Sequence, residues 1–110
     1  MADPKKSSSS SREAEAATLG KPRWTFLSNH AHVLICIARD PGIRMRDVAE
    51  EIGITERAVL KLVADLEEEG LIKRYREGRR NSYELRLNHP LRHPIEKHRT
   101  VGQLIDLILD

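Results

Sequence analysis

The fourteen residues from Lys73 to Arg86 concentrate positive charge, because six are basic and two are acidic, a net charge of +4. The whole chain of 110 residues has 19 basic and 17 acidic side chains and a net charge of only +2. Guanidinium and ammonium groups pair with phosphates, so such a cluster favours a nucleic-acid contact. Charged side chains also protect hairpin edges against aggregation, but that role needs fewer than the four arginines within residues 74–80. The expected contact residues are Arg74, Arg76, Arg79, Arg80 and Asn81.

Other chemically competent groups are sparse. His89, His93 and His98 are spaced loosely like metal ligands. The prolines among them preclude a regular helical face, so we expect these histidines to belong to a connecting segment and not to bind a metal. Cys36 stands among apolar residues and is expected to be a buried, unreactive thiol rather than a redox switch. The sequence contains no phosphate-binding loop, nucleophile elbow, metalloprotease helix or paired-carboxylate site. We therefore expect neither an enzyme nor a bound metal or cofactor.

Composition restricts the class of protein and its compartment. A single cysteine excludes an internal disulfide framework and fits a reducing compartment. No apolar run approaches the roughly 18 residues of a membrane span. Residues 1–20 include five consecutive serines and balanced charge, which is typical of a solvated tail. These features predict a cytoplasmic protein without a membrane partner, with a disordered tail; a tail that binds nucleic acid or a partner is the less favoured alternative.

Residues 29–39 are predicted to form a helix with two apolar faces. The first face follows the helical period and is expected to pack on the core, whereas the second lies on the opposite side. The first contains Ala31, Leu34, Ile35 and Ala38, and the second contains Val33, Cys36 and Ile37. A further element or a second copy of the chain must therefore cover the second face.

Two more helices are predicted around a tight turn. After residues 43–45, for which a short strand is considered, a two-turn helix ends at Gly53. Thr55 then caps a longer helix that carries a regular apolar stripe and ends at Gly70. Two helices joined in this way form the motif whose second helix lies in the DNA major groove. The residues expected to reach bases or phosphates are Thr55, Glu56, Arg57, Ala58 and Lys61.

The remainder of the chain predicts a hairpin and a final helix. Residues 71–87 alternate polar and apolar side chains as two strands around a tip at residues 78–81. Beyond a proline-containing connector, Thr100 and Gln103 form a capping box at the start of an amphipathic C-terminal helix. The predicted fold class is mainly α with a small β-hairpin (α+β), a winged helix-turn-helix with an added C-terminal helix.

Residues 40–85, DPGIRMRDVAEEIGITERAVLKLVADLEEEGLIKRYREGRRNSYEL, resemble the winged-helix region of MarR-like and ArsR-like bacterial transcription regulators. The most specific parts are VAEEIGIT at residues 48–55 and LEEEGLI at residues 66–72. The resemblance implies sequence-specific binding to double-stranded DNA, with a recognition helix at about residues 55–69 in the major groove and the basic wing, residues 73–86, on the backbone or in the minor groove. A winged-helix module that binds protein or RNA is the alternative.

The chain also departs from both families. It lacks the longer flanking helices that enclose a small-molecule pocket in MarR-like regulators. Residues 55–66 contain no Cys or His of the kind that ArsR-like metal sensors carry on this helix. A small-molecule effector is therefore left unknown.

Three regions and a homodimer are predicted. A disordered tail occupies residues 1–20, a winged helix-turn-helix DNA-binding domain residues 21–88, and a connector with the dimerising C-terminal helix residues 89–110. Helix-turn-helix proteins commonly bind two-fold sites as dimers, and the final helix is more apolar than one surface helix needs. We expect it to pack with the second face of the first helix, within a subunit and across a two-fold axis. The expected dimer residues are Val33, Ile37, Val101, Leu104, Ile105 and Ile108.

Overall fold

The computed structural model describes residues 23–110, so the expectations for the tail at residues 1–20 lie outside the described part. The described chain contains four helices and a two-stranded antiparallel hairpin, which confirms the predicted α+β winged-helix class. The elements, in chain order, are α1 (Asn29–Arg39), α2 (Met45–Ile52), α3 (Glu56–Glu68), β1 (Ile72–Glu77), β2 (Arg80–Leu85) and α4 (Val101–Leu109).

Side-chain caps explain where three of the helices begin. The Ser28 hydroxyl accepts a hydrogen bond from the Ala31 amide at the start of α1, and the Thr55 hydroxyl accepts one from the Ala58 amide, at 3.0 Å, at the start of α3. Thr100 forms the predicted capping box at the start of α4. Each cap satisfies an amide that the helix itself leaves without an acceptor, so the predicted helix starts are confirmed.

The hairpin differs in detail from its prediction. Ile72 pairs with Leu85 and Glu77 with Arg80, so two residues form the tip instead of four. Gly78 at the tip has φ 64°, a left-handed conformation that glycine adopts without steric cost. Residues 43–45 do not form the strand considered for them, because Met45 already begins α2.

Helix α1 is the centre of the core and contacts α2, α3, α4 and β2. Its second apolar face supplies the most deeply buried side chains, since Val33 and Ile37 are 0% exposed. On the first face Leu34 is buried, whereas Ala31, Ile35 and Ala38 are only half-buried. The expected assignment of the two faces is therefore corrected, because neighbours on several sides of α1 enclose the second face more completely than the first.

The same burial corrects the expected dimer residues. Val33, Ile37, Val101 and Ile105 belong to the core of the single chain and leave almost no surface for a second copy. The predicted packing of α4 on α1 within a subunit is observed. Of the expected dimer set, Leu104 is half-buried and Ile108 is exposed. Among residues 23–110, no helix has the length and apolar character that crossing a bilayer would require.

Candidate nucleic-acid interface

Helices α2 and α3 form a helix-turn-helix around Gly53. This glycine has φ 88°, and its amide donates to the Ala49 carbonyl at 2.8 Å, which closes α2 and redirects the chain within three residues. The buried face of α3 consists of Val59, Val63 and Leu66. The opposite side of α3 is consequently directed into solvent.

The residues predicted to read DNA lie mostly on that exposed side. Glu56, Arg57 and Lys61 are exposed, as is Thr55 at the N-terminus of α3, whereas Ala58 is half-buried. The Thr55 hydroxyl is already used as the cap of the helix. The first half of α3 therefore presents charged groups that can reach a ligand, while the apolar face of the helix packs in the core.

The tip of the wing lies beside the same half of α3. A cleft of about 480 Å³ separates the two, and Arg79, Arg80 and Asn81 line it from the wing while Glu56 lines it from α3. The Arg80 guanidinium donates to the Gly42 carbonyl at 3.2 Å, which ties the tip to the loop before α2. The Tyr83 amide also donates to the Pro41 carbonyl at 3.2 Å. These two hydrogen bonds hold the wing against the helix-turn-helix.

Two predicted wing residues have partners outside the cleft. The Arg74 guanidinium lies 3.6 Å from the Glu67 carboxylate near the C-terminus of α3. The Arg76 side chain is exposed on β1 and donates to the Gly78 carbonyl at 3.2 Å. The structure therefore brings Arg79, Arg80 and Asn81 together at one surface and draws Arg74 toward the far end of α3.

Sequence reasoning missed two exposed residues that line the cleft. Arg44, the residue before α2, is exposed there, and Leu60 on α3 is also exposed there. Arg44 stood in a segment considered for a strand, and an arginine outside the basic cluster carried no signal. The helical position of Leu60, four residues after Glu56, could have indicated that it lies on the same side.

The opposite end of α3 is acidic and is linked to other elements. Arg92 of the connector lies 3.6 Å from Glu69, as Arg74 does from Glu67. On α1, His30 is hydrogen-bonded to Asp65 at 2.9 Å, and this bond lowers the pKa of the Asp65 carboxyl. Neighbours thus partly neutralise the carboxylates of the C-terminal half of α3, whereas the exposed cations Arg57 and Lys61 lie in the other half.

Cys36 and the histidines have structural partners. The Cys36 thiol donates to the Glu51 carboxylate at 3.4 Å, and burial, followed by this hydrogen bond, raises its pKa to about 11. Arg39 also pairs with Glu51, a basic neighbour that opposes this rise only weakly. His93 accepts a hydrogen bond from the Ile95 amide. Residues 23–110 hold no group of three or more His, Cys, Asp or Glu side chains placed to bind a metal ion.

Segments of the chain are similar in sequence to known proteins, and its fold is similar to that of solved structures. Residues 29–73 match the family model described as "Winged helix-turn-helix DNA-binding". A segment of 49 residues, 44% of the chain, is 43% identical to a riboflavin kinase of Thermococcus kodakarensis. The match spans 23% of the length of that curated relative.

Two solved structures share the fold. One is a "predicted DNA-binding transcriptional regulator" from E. coli, with a TM-score of 0.54 at 20% identity over 90% of each chain. The other is a MarR family protein of Mycobacterium tuberculosis in complex with salicylic acid, with a TM-score of 0.50 at 16% identity over 86% of this chain and 62% of that one. Neither of these likenesses specifically supports the ArsR-like part of the resemblance. Residues 29–73 therefore match the winged helix-turn-helix DNA-binding family, and the chain shares its fold with these two proteins.

Proposed function

We propose that this protein binds double-stranded DNA in a sequence-specific manner and regulates transcription. The observation that carries the proposal is the cleft between α3 and the wing, where Arg44, Arg79 and Arg80 converge beside the exposed side of a helix that the fold presents for groove binding. The match of residues 29–73 to the winged helix-turn-helix DNA-binding family supports it. In this proposal, α3 lies in the major groove.

The exposed side of α3 supplies the base contacts. Arg57 can donate two hydrogen bonds to a guanine, and Glu56 can accept one from a cytosine amino group. Lys61, one turn beyond Arg57, reaches a base or a phosphate. Thr55 and the free amides at the N-terminus of α3 suit a phosphate oxygen. Ala58 is small enough to let the helix approach the groove closely.

The wing supplies contacts that position the protein without reading much sequence. Arg79, Arg80 and Asn81 meet the backbone or enter the minor groove next to the site occupied by α3. Arg76, exposed on β1, reaches the adjacent phosphate. Arg74 contributes only if it exchanges Glu67 for a phosphate, since the two are paired in the free protein. We therefore expect the residues at the tip of the wing to contribute more to DNA affinity than Arg74.

We also propose that the protein acts as a homodimer through α4. Leu107 is 76% exposed, and Ile108 and Leu109 are exposed as well. Together with half-buried Leu104 they form an apolar surface on a helix whose other side is in the core. Because Val101 and Ile105 belong to that core, deleting α4 would unfold the chain. Replacing Leu107 and Ile108 by Asp and measuring sedimentation tests the dimer more cleanly.

We propose a DNA-binding regulator and not an enzyme, because residues 29–73 match the winged helix-turn-helix DNA-binding family. The likeness to the riboflavin kinase covers 23% of that protein, so it extends to a segment and not to the whole enzyme. We propose no cofactor and leave the effector open. The proposed role requires a compartment that holds DNA, and the single cysteine favours the reducing cytoplasm.

Selection of bound sequences from random duplex DNA tests the function and the dimer together. A two-fold-symmetric consensus is expected. On that consensus, Arg57→Ala should weaken binding by about 1–3 kcal/mol. Arg79→Ala and Arg80→Ala should weaken binding to every sequence and lower the salt slope by roughly one each. Arg92→Ala is the matched control, because this arginine lies beside Glu69 at the acidic end of α3.

The same measurement also distinguishes DNA binding from the alternative, a winged-helix module that binds protein or RNA. Glu56 in the cleft is the acidic residue that such a partner would use, whereas Asp65 is already bonded to His30. Duplex affinity that changes neither with salt nor with Arg79→Ala would refute the proposal. Capture of a protein partner at high salt would then favour the alternative.

A further inference from the structure

Helix α3 exposes one large apolar side chain, Leu60. It is 50% exposed, whereas the apolar residues of the helix that face the core, Val59 and Val63, are buried. The core therefore does not require an apolar side chain at this position. Large exposed apolar residues are common singly on protein surfaces, so the surroundings of Leu60 must indicate whether this one has a role.

Those surroundings are the cleft between α3 and the wing. Leu60 lies one turn after Glu56, on the same side of α3, and both line the cleft. Arg44 lines it from the start of α2, and Arg79 and Arg80 line it from the wing. An exposed apolar side chain thus shares one cleft with three arginines, whose guanidinium groups suit phosphates, and with the carboxylate of Glu56. A polyanion that also presents an apolar group would match this set of side chains.

Duplex DNA has such an apolar group in its major groove. The C5 methyl of thymine projects there, and no other unmodified base presents an apolar group at that edge. Leucine can neither donate nor accept a hydrogen bond, so this methyl is the feature of a base edge that it can distinguish. Burial of one methyl group changes the dissociation constant by about fourfold.

We propose that Leu60 is a specificity-determining residue that contacts a thymine methyl, so that each half-site requires a T–A pair at one position. This inference rests on the proposed binding of duplex DNA and, for its repetition in both half-sites, on the proposed homodimer. It differs from the roles given to Arg57 and the wing, because it concerns an apolar contact and not a hydrogen bond or a phosphate. It also predicts an effect that salt concentration leaves nearly unchanged.

Replacement of thymine by uracil tests the contact, because uracil lacks only the methyl group. In the duplex chosen by selection, each thymine is replaced in turn and the Kd of the wild-type protein is measured. One position in each half-site should raise the Kd about fourfold. The variant Leu60→Ala should bind the thymine and uracil duplexes equally. Ile95→Ala, which truncates an exposed apolar residue of the connector, should keep the wild-type preference.

The outcomes separate this inference from the function on which it rests. Wild-type affinity that is insensitive to uracil at every thymine would overturn the role of Leu60 while leaving DNA binding intact. The same holds if Leu60→Ala retains the full difference, or if the selected site requires no T–A pair. Absence of salt-dependent duplex binding would refute the proposed function and, with it, this contact. The wild-type series does not depend on the folding of any variant.

Discussion

The burial of Ile37 gives a quantitative test of the packing around α1. The sequence pattern placed this residue on a face available to a second copy of the chain, whereas the structure encloses it completely within one chain. We expect Ile37→Ala to destabilise the folded chain itself. Its effect on self-association should follow only from the loss of folded protein.

The magnitude follows from the atoms removed and the space they leave. Truncation of Ile to Ala removes three carbon atoms, which corresponds to about 2.4 kcal/mol at about 0.8 kcal/mol per buried methylene. The packed helices around Ile37 can close the resulting cavity only in part, which raises the loss to about 3–4 kcal/mol. A domain of this size is stable by about 4–13 kcal/mol. The melting temperature should fall by about 12–30 °C.

Urea unfolding at two protein concentrations, with sedimentation at each, measures both quantities. Ile95→Ala is the matched control, since it makes the same truncation at a connector residue that is 77% exposed. It should change the unfolding free energy of the monomer by no more than about 0.5 kcal/mol. A loss below about 1 kcal/mol for Ile37→Ala, combined with weakened self-association, would refute the assignment of this face to the core.

Three further predictions concern single side chains. The pKa of about 11 for Cys36 keeps its thiol protonated at neutral pH, so Ellman's reagent should label the folded protein far more slowly than the urea-unfolded protein; equal rates would contradict this. The His30 hydrogen bond lowers the pKa of Asp65, so its stabilisation is present above the ordinary Asp range and is lost as pH falls through the lowered value. Asp65→Asn should therefore be less stable than wild type in urea at neutral pH, with a smaller difference near pH 2.5. A Cβ at Gly102 would lie 3.0 Å from the Leu87 carbonyl oxygen, so Gly102→Ala should lower the unfolding free energy by about 1–2 kcal/mol; a stabilised variant would show that the backbone relaxes freely.

Local signals predicted the elements well. Ser28, Thr55 and Thr100 mark helix starts because each satisfies the amide three residues further along the chain. Gly53 marks the end of α2 because its left-handed conformation closes the helix. These interactions involve residues within about one helical turn, so the local sequence is sufficient to predict them.

Which face of α1 is buried, and which residues line the cleft, depend on contacts between residues that are far apart in the chain. Because α1 is apolar on both sides, its periodicity is compatible with either face in the core, and the positions of α2, α3, α4 and β2 select the one with Val33 and Ile37. Likewise Arg44 and Leu60 become neighbours of the wing only when the hairpin folds back on α3. Capping and periodicity determined which segments become helices or strands. Tertiary packing decided which surfaces they bury and which charges they bring together, because burial and electrostatic pairing act between elements.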